Sequence, residues 1–277
     1  MRSRNFTILA LSALLAGSPV AFAKRGGIGD GGGGGIGSKP EDVAAGVRDA
    51  RLALGVYLHL AANDPLNPLQ PAHVGNAAVK KVLESWLAAD GDGEAIVKDS
   101  LASEYRVQKE ECPSDTDDDH DASTAFRRGA VICFSTDLLK RYPAWTLPAE
   151  LVALAAHEHA HHFGFGEEEA RAVQRYVFDA YGLLRVHELV NRFLNVDTGN
   201  FRARVKLAGG NAAGEAGFVK SVCRDFYQLQ GQALALNVKA FALDAATRPV
   251  CDPASFDPDA VDQRLRDLMS AAIKDLH

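Results

Sequence analysis

The 277-residue chain has no excess of basic charge: it holds 30 Lys and Arg against 36 Asp and Glu, a formal net charge of −6. Proteins that bind nucleic acid or anionic membrane surfaces usually carry a basic patch. Beyond its first 23 residues the sequence also lacks an uninterrupted apolar run long enough for a membrane helix. We therefore expect neither a nucleic-acid partner nor stable membrane insertion, and the oligomeric state stays open.

The first 40 residues have the composition of segments outside a folded core. Residues 1–23 combine a basic start at Arg2 and Arg4, an apolar run and the small-x-small sequence AFA, which predicts a secretory signal peptide. Residues 24–40 are dominated by glycine and are predicted to form a flexible tether. We expect an exported protein, periplasmic or extracellular, with a single domain over residues 41–277.

Cysteine is scarce, and the four residues show no CxxC spacing, which argues against a metal site built from cysteines alone. An even number in an exported protein predicts two disulfides, for which three pairings exist. We favour the sequence-local pairs Cys112–Cys133 and Cys223–Cys251. Each closes a loop worth about 3 kcal/mol in the chain-entropy model.

Patterning divides the predicted domain into three parts. Residues 41–103 and 183–277 are predicted to be mainly helical, while residues 104–182 hold two strands, EYRVQKE and RGAVICFS, and two helices. The first of these helices should span about 148–163, with Pro148 in its first turn and Gly164 as its C-terminal stop. A peptidase would need an open cleft along the strand at 130–135, where a peptide could pair by strand addition.

The helix over 148–163 carries the motif His157-Glu158-x-x-His161. At 100° per residue, His157 and His161 lie about 40° apart, whereas His159 and His162 lie about 200° and 140° from His157 and cannot join that pair. The pair is predicted to face inward and bind Zn²⁺, with Glu158 as general base for a water activated by the ion. A solvated, histidine-rich helix end is the alternative.

A tight turn and a second helix, from about Glu167 to Tyr181 with Gly182 as its end, follow the motif. Antiparallel packing would place the first turn of that helix beside His161. Three glutamates lie there, at positions 167, 168 and 169. One can serve as the third metal ligand while the others only complement the helix dipole.

The segment over residues 130–174 resembles the core of gluzincin zinc metallopeptidases, most nearly the HtpX-like and prenyl-protease group. The turn Thr136-Asp137-Leu138-Leu139 and the E-x-x-A pattern from Glu167 to Ala170 carry this resemblance together with HExxH. It implies that Glu167 is the third zinc ligand and Glu158 the catalytic base. Arg171 stands where the family has an aspartate that supports a ligand histidine, and Glu168 remains an alternative ligand.

The metzincin class of zinc peptidases requires a third histidine and a downstream Met-turn. Here Glu167 takes the place of that histidine, and the only methionine after the first residue is Met269, in a helical pattern. We therefore expect an α+β, mostly α fold with a zincin-like core that binds one zinc ion and hydrolyses a peptide or protein substrate. The alternatives are an inactive zincin-fold binding module and a metal-binding periplasmic protein.

Overall fold

The computed structural model of the chain describes residues 38–90, 93–112, 121–207, 216–241, 251 and 256–276. Helices hold most of these residues and the sheets are small, which confirms the predicted α+β, mostly α class. The helices of the described part are α1 (Pro40–Asn63), α2 (Ala77–Leu87), α3 (Ala95–Ala102), α4 (Thr136–Leu139), α5 (Leu147–His162), α6 (Glu167–Arg192), α7 (Gly199–Leu207), α8 (Ala216–Ala235) and α9 (Pro258–Asp275). The strands are β1 (Ala89–Asp90), β2 (Gly93–Glu94), β3 (Tyr105–Gln108), β4 (Ala122–Thr124) and β5 (Ile132–Ser135).

The predicted signal peptide and residues 24–37 of the predicted tether lie outside the described residues. The last three tether residues do not behave as a flexible segment. Ser38 donates hydrogen bonds from its N–H to the Lys140 carbonyl and from its hydroxyl to the Tyr142 carbonyl, each at 2.9 Å. Pro40 begins α1, where its missing N–H has no intrahelical partner to lose. Within the described residues, the packed part of the chain therefore begins at Ser38.

The three-stranded sheet has the order β3-β5-β4, with β3 parallel and β4 antiparallel to β5. Because β5 is hydrogen-bonded on both sides, it cannot pair with a peptide by strand addition, so the open cleft that a peptidase would need along residues 130–135 is not found in the described part of the chain. The residues of β5 are buried throughout, which fits a strand at the centre of a sheet. Among the described strands, β3 and β4 form the two edges of this sheet.

Helix α5 passes through the middle of the larger core. Pro148 lies in its first turn, and Gly164 follows its end with a positive φ of 79°. Every residue from Leu151 to His162 is buried, which is typical of a helix covered on all sides. The prediction of a single inward stripe was therefore too narrow, since the other two histidines of the motif region are buried as well.

Helix α6 does not end at Gly182 as predicted but continues to Arg192. A Cβ atom built at Gly182 would lie 2.8 Å from the carbonyl oxygen of Leu236, just beyond the end of α8. Glycine at this position is therefore needed for close packing between two segments rather than for a helix stop. The continuous helix extends from the first core cluster into the second.

Two clusters of buried apolar side chains stabilise the described part of the chain. One is formed mainly by α1, α2, β5, α5 and the first half of α6, the other by the second half of α6 with α8 and α9. Met269 lies inside the second cluster. The favoured disulfides Cys112–Cys133 and Cys223–Cys251 are both present. Among the described helices we find none with the length and apolar character needed to cross a bilayer.

Candidate metal centre

The turn between α5 and α6 brings the three predicted ligands together. Gly164 adopts the left-handed conformation, and the Phe165 N–H donates to the Ala160 carbonyl at 3.1 Å, which closes the end of α5. Gly166 then begins α6, so Glu167 is its first helical residue. This short reversal places the Glu167 carboxylate next to the last turn of α5.

The separations between the ligand atoms match those of a zinc site. His157 Nε2 and His161 Nε2 lie 3.0 Å apart, and Glu167 Oε2 lies 3.3 Å from His161 Nε2 and 3.6 Å from His157 Nε2. Zinc bonds of 2.0–2.2 Å at tetrahedral angles would separate two ligand atoms by about 3.3 Å. A donor set of two histidines and one carboxylate is also one that zinc uses in enzymes.

Neighbouring groups orient two of these ligands. His161 Nδ1 lies 3.0 Å from the Phe165 carbonyl oxygen, to which only a protonated Nδ1 can donate, so a neutral ring presents the Nε2 lone pair to the metal position. Arg171 Nε donates to Glu167 Oε1 at 2.7 Å and leaves Oε2 facing the histidines. Arg171, which departs from the gluzincin pattern, thus orients the carboxylate of the candidate ligand Glu167.

Glu168, the alternative ligand, is exposed and does not belong to this group of converging ligand atoms within the described residues. Glu169 is turned toward α2, where its carboxylate lies 3.6 Å from Lys81 Nζ. Of the three consecutive glutamates, the geometry brings Glu167 to the two histidines.

The electrostatic environment favours deprotonated ligands at neutral pH. Burial is the main cause that lowers the pKa of His157 to about 4, and it outweighs the negative charge of Glu167, which acts to raise that pKa. Partial burial would raise the pKa of Glu167, but His157 and Arg171 outweigh it and hold that pKa below its usual range. A neutral imidazole and a carboxylate are the protonation states required for metal binding.

Glu158 lies beside the ligand pair and is only 3% exposed. Its burial, together with the negative charge of Glu167, raises its pKa to about 8. A carboxyl group with a pKa near neutrality can both accept and release a proton in that range. This is the property expected of a general acid–base group.

One side of the site is open. The two histidines are buried, whereas the Glu167 side chain is 52% exposed. The Phe126 ring lies 4.5 Å from the His161 ring and is 64% exposed, in the segment after β4. An accessible side is a requirement of catalytic zinc sites, whereas structural sites are closed by four protein ligands.

A second buried group, which was not predicted from the sequence, lies on the other side of α5. Asp99 from α3 accepts hydrogen bonds from His159 Nδ1 and His162 Nδ1 at 2.6 and 2.8 Å. Burial alone would raise the pKa of Asp99, but these hydrogen bonds outweigh it and hold the pKa well below its usual range. The three-residue spacing of the histidines was a visible signal that they share a helix face, but nothing in the sequence pointed to Asp99.

Comparison of the chain with protein-family models, with curated proteins and with solved structures gives no match.

Proposed function

We propose that the chain is an exported, zinc-dependent metallopeptidase with a zincin-like core related to the gluzincins. The observation that supports this most directly is the convergence of His157 Nε2, His161 Nε2 and Glu167 Oε2 at separations of 3.0–3.6 Å. Glu158, the glutamate of the HExxH motif, is buried and follows His157 directly in α5.

A zinc ion held by His157, His161 and Glu167 would supply Lewis-acid activation of a water molecule and of the substrate carbonyl. Glu158 takes the proton from the attacking water and passes it to the leaving amine as the peptide bond breaks. Burial and the negative charge of Glu167 raise the pKa of Glu158 to about 8, which favours the protonated form that donates to the leaving amine. Arg171 keeps the Glu167 carboxylate turned toward the histidines.

A peptide substrate fits the open side of this site. Phe126 follows β4 and presents an exposed aromatic ring against the ligand His161. Such a ring can contact an apolar side chain of the substrate close to the reacting bond. The segment around β4, rather than β5, is therefore the part of the sheet region along which we expect the substrate to bind.

Export is supported by the two disulfides, since these bonds persist in oxidising compartments and are rare in the cytosol. The signal-like composition of residues 1–23 agrees with this assignment.

The first test is the zinc content of purified protein lacking residues 1–23. Wild type and Glu158→Gln should each hold one zinc ion, since glutamine removes the base and leaves the ligands. His161→Ala should hold little, and Glu167→Ala should bind zinc more weakly. Glu168→Ala is the matched control and should bind zinc as wild type does.

The second test is hydrolysis of a mixed peptide library by the same proteins, read by mass spectrometry. Glu158→Gln should reduce turnover by about 10²–10⁴-fold, the usual contribution of general acid–base catalysis. Wild-type zinc content below 0.2 per chain would contradict the metal site. Full activity of Glu158→Gln would contradict the role of the base, and a zinc-loaded wild type that cleaves nothing would favour the non-catalytic binding module.

A further inference from the structure

The second buried group on α5 has no part in the chemistry proposed above. Asp99, His159 and His162 are 2%, 0% and 3% exposed. His159 and His162 are three positions apart and lie on the side of α5 that faces away from His157. Three residues with polar side chains thus occupy an almost water-free position directly behind the candidate metal ligands.

By residue type this group could bind a metal ion, but its distances favour hydrogen bonds. Asp99 Oδ2 lies 2.6 and 2.8 Å from the two Nδ1 atoms, whereas tetrahedral zinc ligands would be separated by about 3.3 Å. Charge-assisted N–H···O hydrogen bonds have lengths of about 2.7–2.9 Å. The candidate ligands on the other side of α5 therefore have the spacing of a metal site, whereas Asp99 and its two histidines have the spacing of a hydrogen-bond network.

The remaining polar atoms of the network also have partners. Asp99 Oδ1 accepts from the Gly129 N–H at 2.6 Å, His159 Nε2 lies 2.8 Å from the Tyr105 hydroxyl, and His162 Nε2 lies 2.7 Å from the Thr124 hydroxyl. The network therefore connects α5 to α3, β3, β4 and the segment before β5. No rotation of α5 about its axis is possible without breaking several of these bonds.

Such rotation would matter for the metal site. Side-chain ends lie about 6 Å from a helix axis, so a 10° rotation displaces them by about 1 Å. Metal–ligand distances tolerate only about 0.2 Å of error. Since His157 and His161 belong to the same two turns as His159 and His162, the network controls an orientation to which zinc binding is sensitive.

We propose that Asp99, His159 and His162 form a hydrogen-bonded clamp that holds α5 in the orientation required for zinc binding, with Asp99 as its central positioning residue. This inference rests on the proposed zinc site. It predicts that zinc affinity depends on a residue that contacts neither the ligands nor the metal position.

The test compares Asp99→Asn with Leu265→Ala. Asparagine keeps the shape of Asp99, but one of its two ends becomes an N–H donor and must face either the Gly129 N–H or the histidine N–H groups. Leu265→Ala is the control, because it removes fully buried volume from the second core cluster and destabilises the fold without touching the clamp. Both proteins are studied at a temperature where circular dichroism shows them folded.

The measured quantities are the zinc dissociation constant, by competition with a chelator, and the visible spectrum of the cobalt-substituted protein. Asp99→Asn should bind one zinc about 10-fold more weakly, at the lower end of the 10–100-fold loss caused by removing a direct partner of a metal ligand, because Asp99 acts on the ligands only through the orientation of α5. Its cobalt spectrum should change. Leu265→Ala should stay within about threefold of wild type. If Asp99→Asn does not fold, Tyr105→Phe provides a milder variant, since it removes only the tyrosine hydroxyl that contacts His159 Nε2. Its zinc affinity should fall in the same direction but by less.

Equal zinc affinities of Asp99→Asn and Leu265→Ala would overturn the clamp and leave the proposed peptidase untouched. Two zinc ions in wild type, one of them lost in Asp99→Asn, would replace the clamp with a second metal site. A wild type that binds zinc but hydrolyses no peptide would overturn the proposed peptidase activity. The clamp would still be tested in that case, by the zinc affinities of Asp99→Asn and Leu265→Ala. A wild type that binds no zinc would overturn both.

Discussion

Replacement of Gly182 by alanine tests the packing on which the position of α6, and with it Glu167, depends. The new Cβ atom would lie 2.8 Å from the backbone carbonyl oxygen of Leu236, closer than real Cβ atoms approach other heavy atoms. A backbone group cannot turn aside as a flexible side chain can. The two segments must therefore move apart.

Two opposing terms set the size of the effect. Alanine inside a helix is more favourable than glycine by about 0.5–1 kcal/mol, while an extra group in a filled contact costs about 1–3 kcal/mol. The difference between these terms is about 0–2.5 kcal/mol, and we expect Gly182→Ala to lower the free energy of unfolding by about 1 kcal/mol. Gly231→Ala is the matched control, because its Cβ in the exposed face of α8 would meet no described atom within 4 Å. It should gain about 0.5–1 kcal/mol.

The assay is urea and thermal unfolding of both variants with the disulfides intact. For a chain of this size about 1 kcal/mol corresponds to about 2–4 °C in Tm, so the two variants should melt about 3–8 °C apart, on opposite sides of wild type. A Gly182→Ala protein as stable as Gly231→Ala would refute the close contact with Leu236. The glycine would then have no packing role in α6.

Three further variants test other parts of the structure. Gly164→Ala should destabilise the fold by about 1–2 kcal/mol, because φ at this position is 79° and only glycine adopts it at no cost; an unchanged Tm would contradict this. Burial alone would raise the pKa of Asp64, but hydrogen bonds from groups including His187 outweigh it and hold the pKa below its usual range. Its contribution to stability is therefore complete above about pH 4 and is lost as the pH falls below it. Asp64→Asn should flatten the fall of Tm between about pH 5 and 2, and parallel profiles would refute the argument. Phe126→Ala should leave one zinc bound but raise KM for peptides several-fold, whereas an unchanged KM would exclude substrate contact with that ring.

Local signals in the sequence were sufficient for the helix that carries the HExxH motif. Helix α5 was predicted at about 148–163 and spans Leu147–His162, because Pro148 and Gly164 mark its two ends by backbone conformation alone. The predicted end of α6 was wrong, because the role of Gly182 depends on a contact with a residue far away in the sequence. Gly182 is required by a contact with Leu236, 54 positions away, and a helical glycine of this kind has the same local signature as a helix stop.

The same limit explains which parts of the two histidine groups were predictable. Angular positions on a helix separate His157 and His161 from His159 and His162 without any tertiary information. The partner of the second pair, Asp99, is 60 positions from His159 and comes from another helix. The sequence indicated two faces, but only the fold could show that both are buried and that the second face has a carboxylate of its own.

The choice among the three glutamates depended on the fold. Residues three and four apart on a helix are neighbours, so Arg171 could pair with either Glu167 or Glu168, and the sequence alone does not decide between them. In the structure Arg171 Nε donates to Glu167 Oε1 at 2.7 Å, while Glu167 Oε2 lies 3.3 Å from His161 Nε2. A carboxylate with one oxygen fixed in this way has the other in a defined direction. The arginine that departs from the gluzincin pattern therefore sets the orientation of the one carboxylate, among the three, that faces the two histidines.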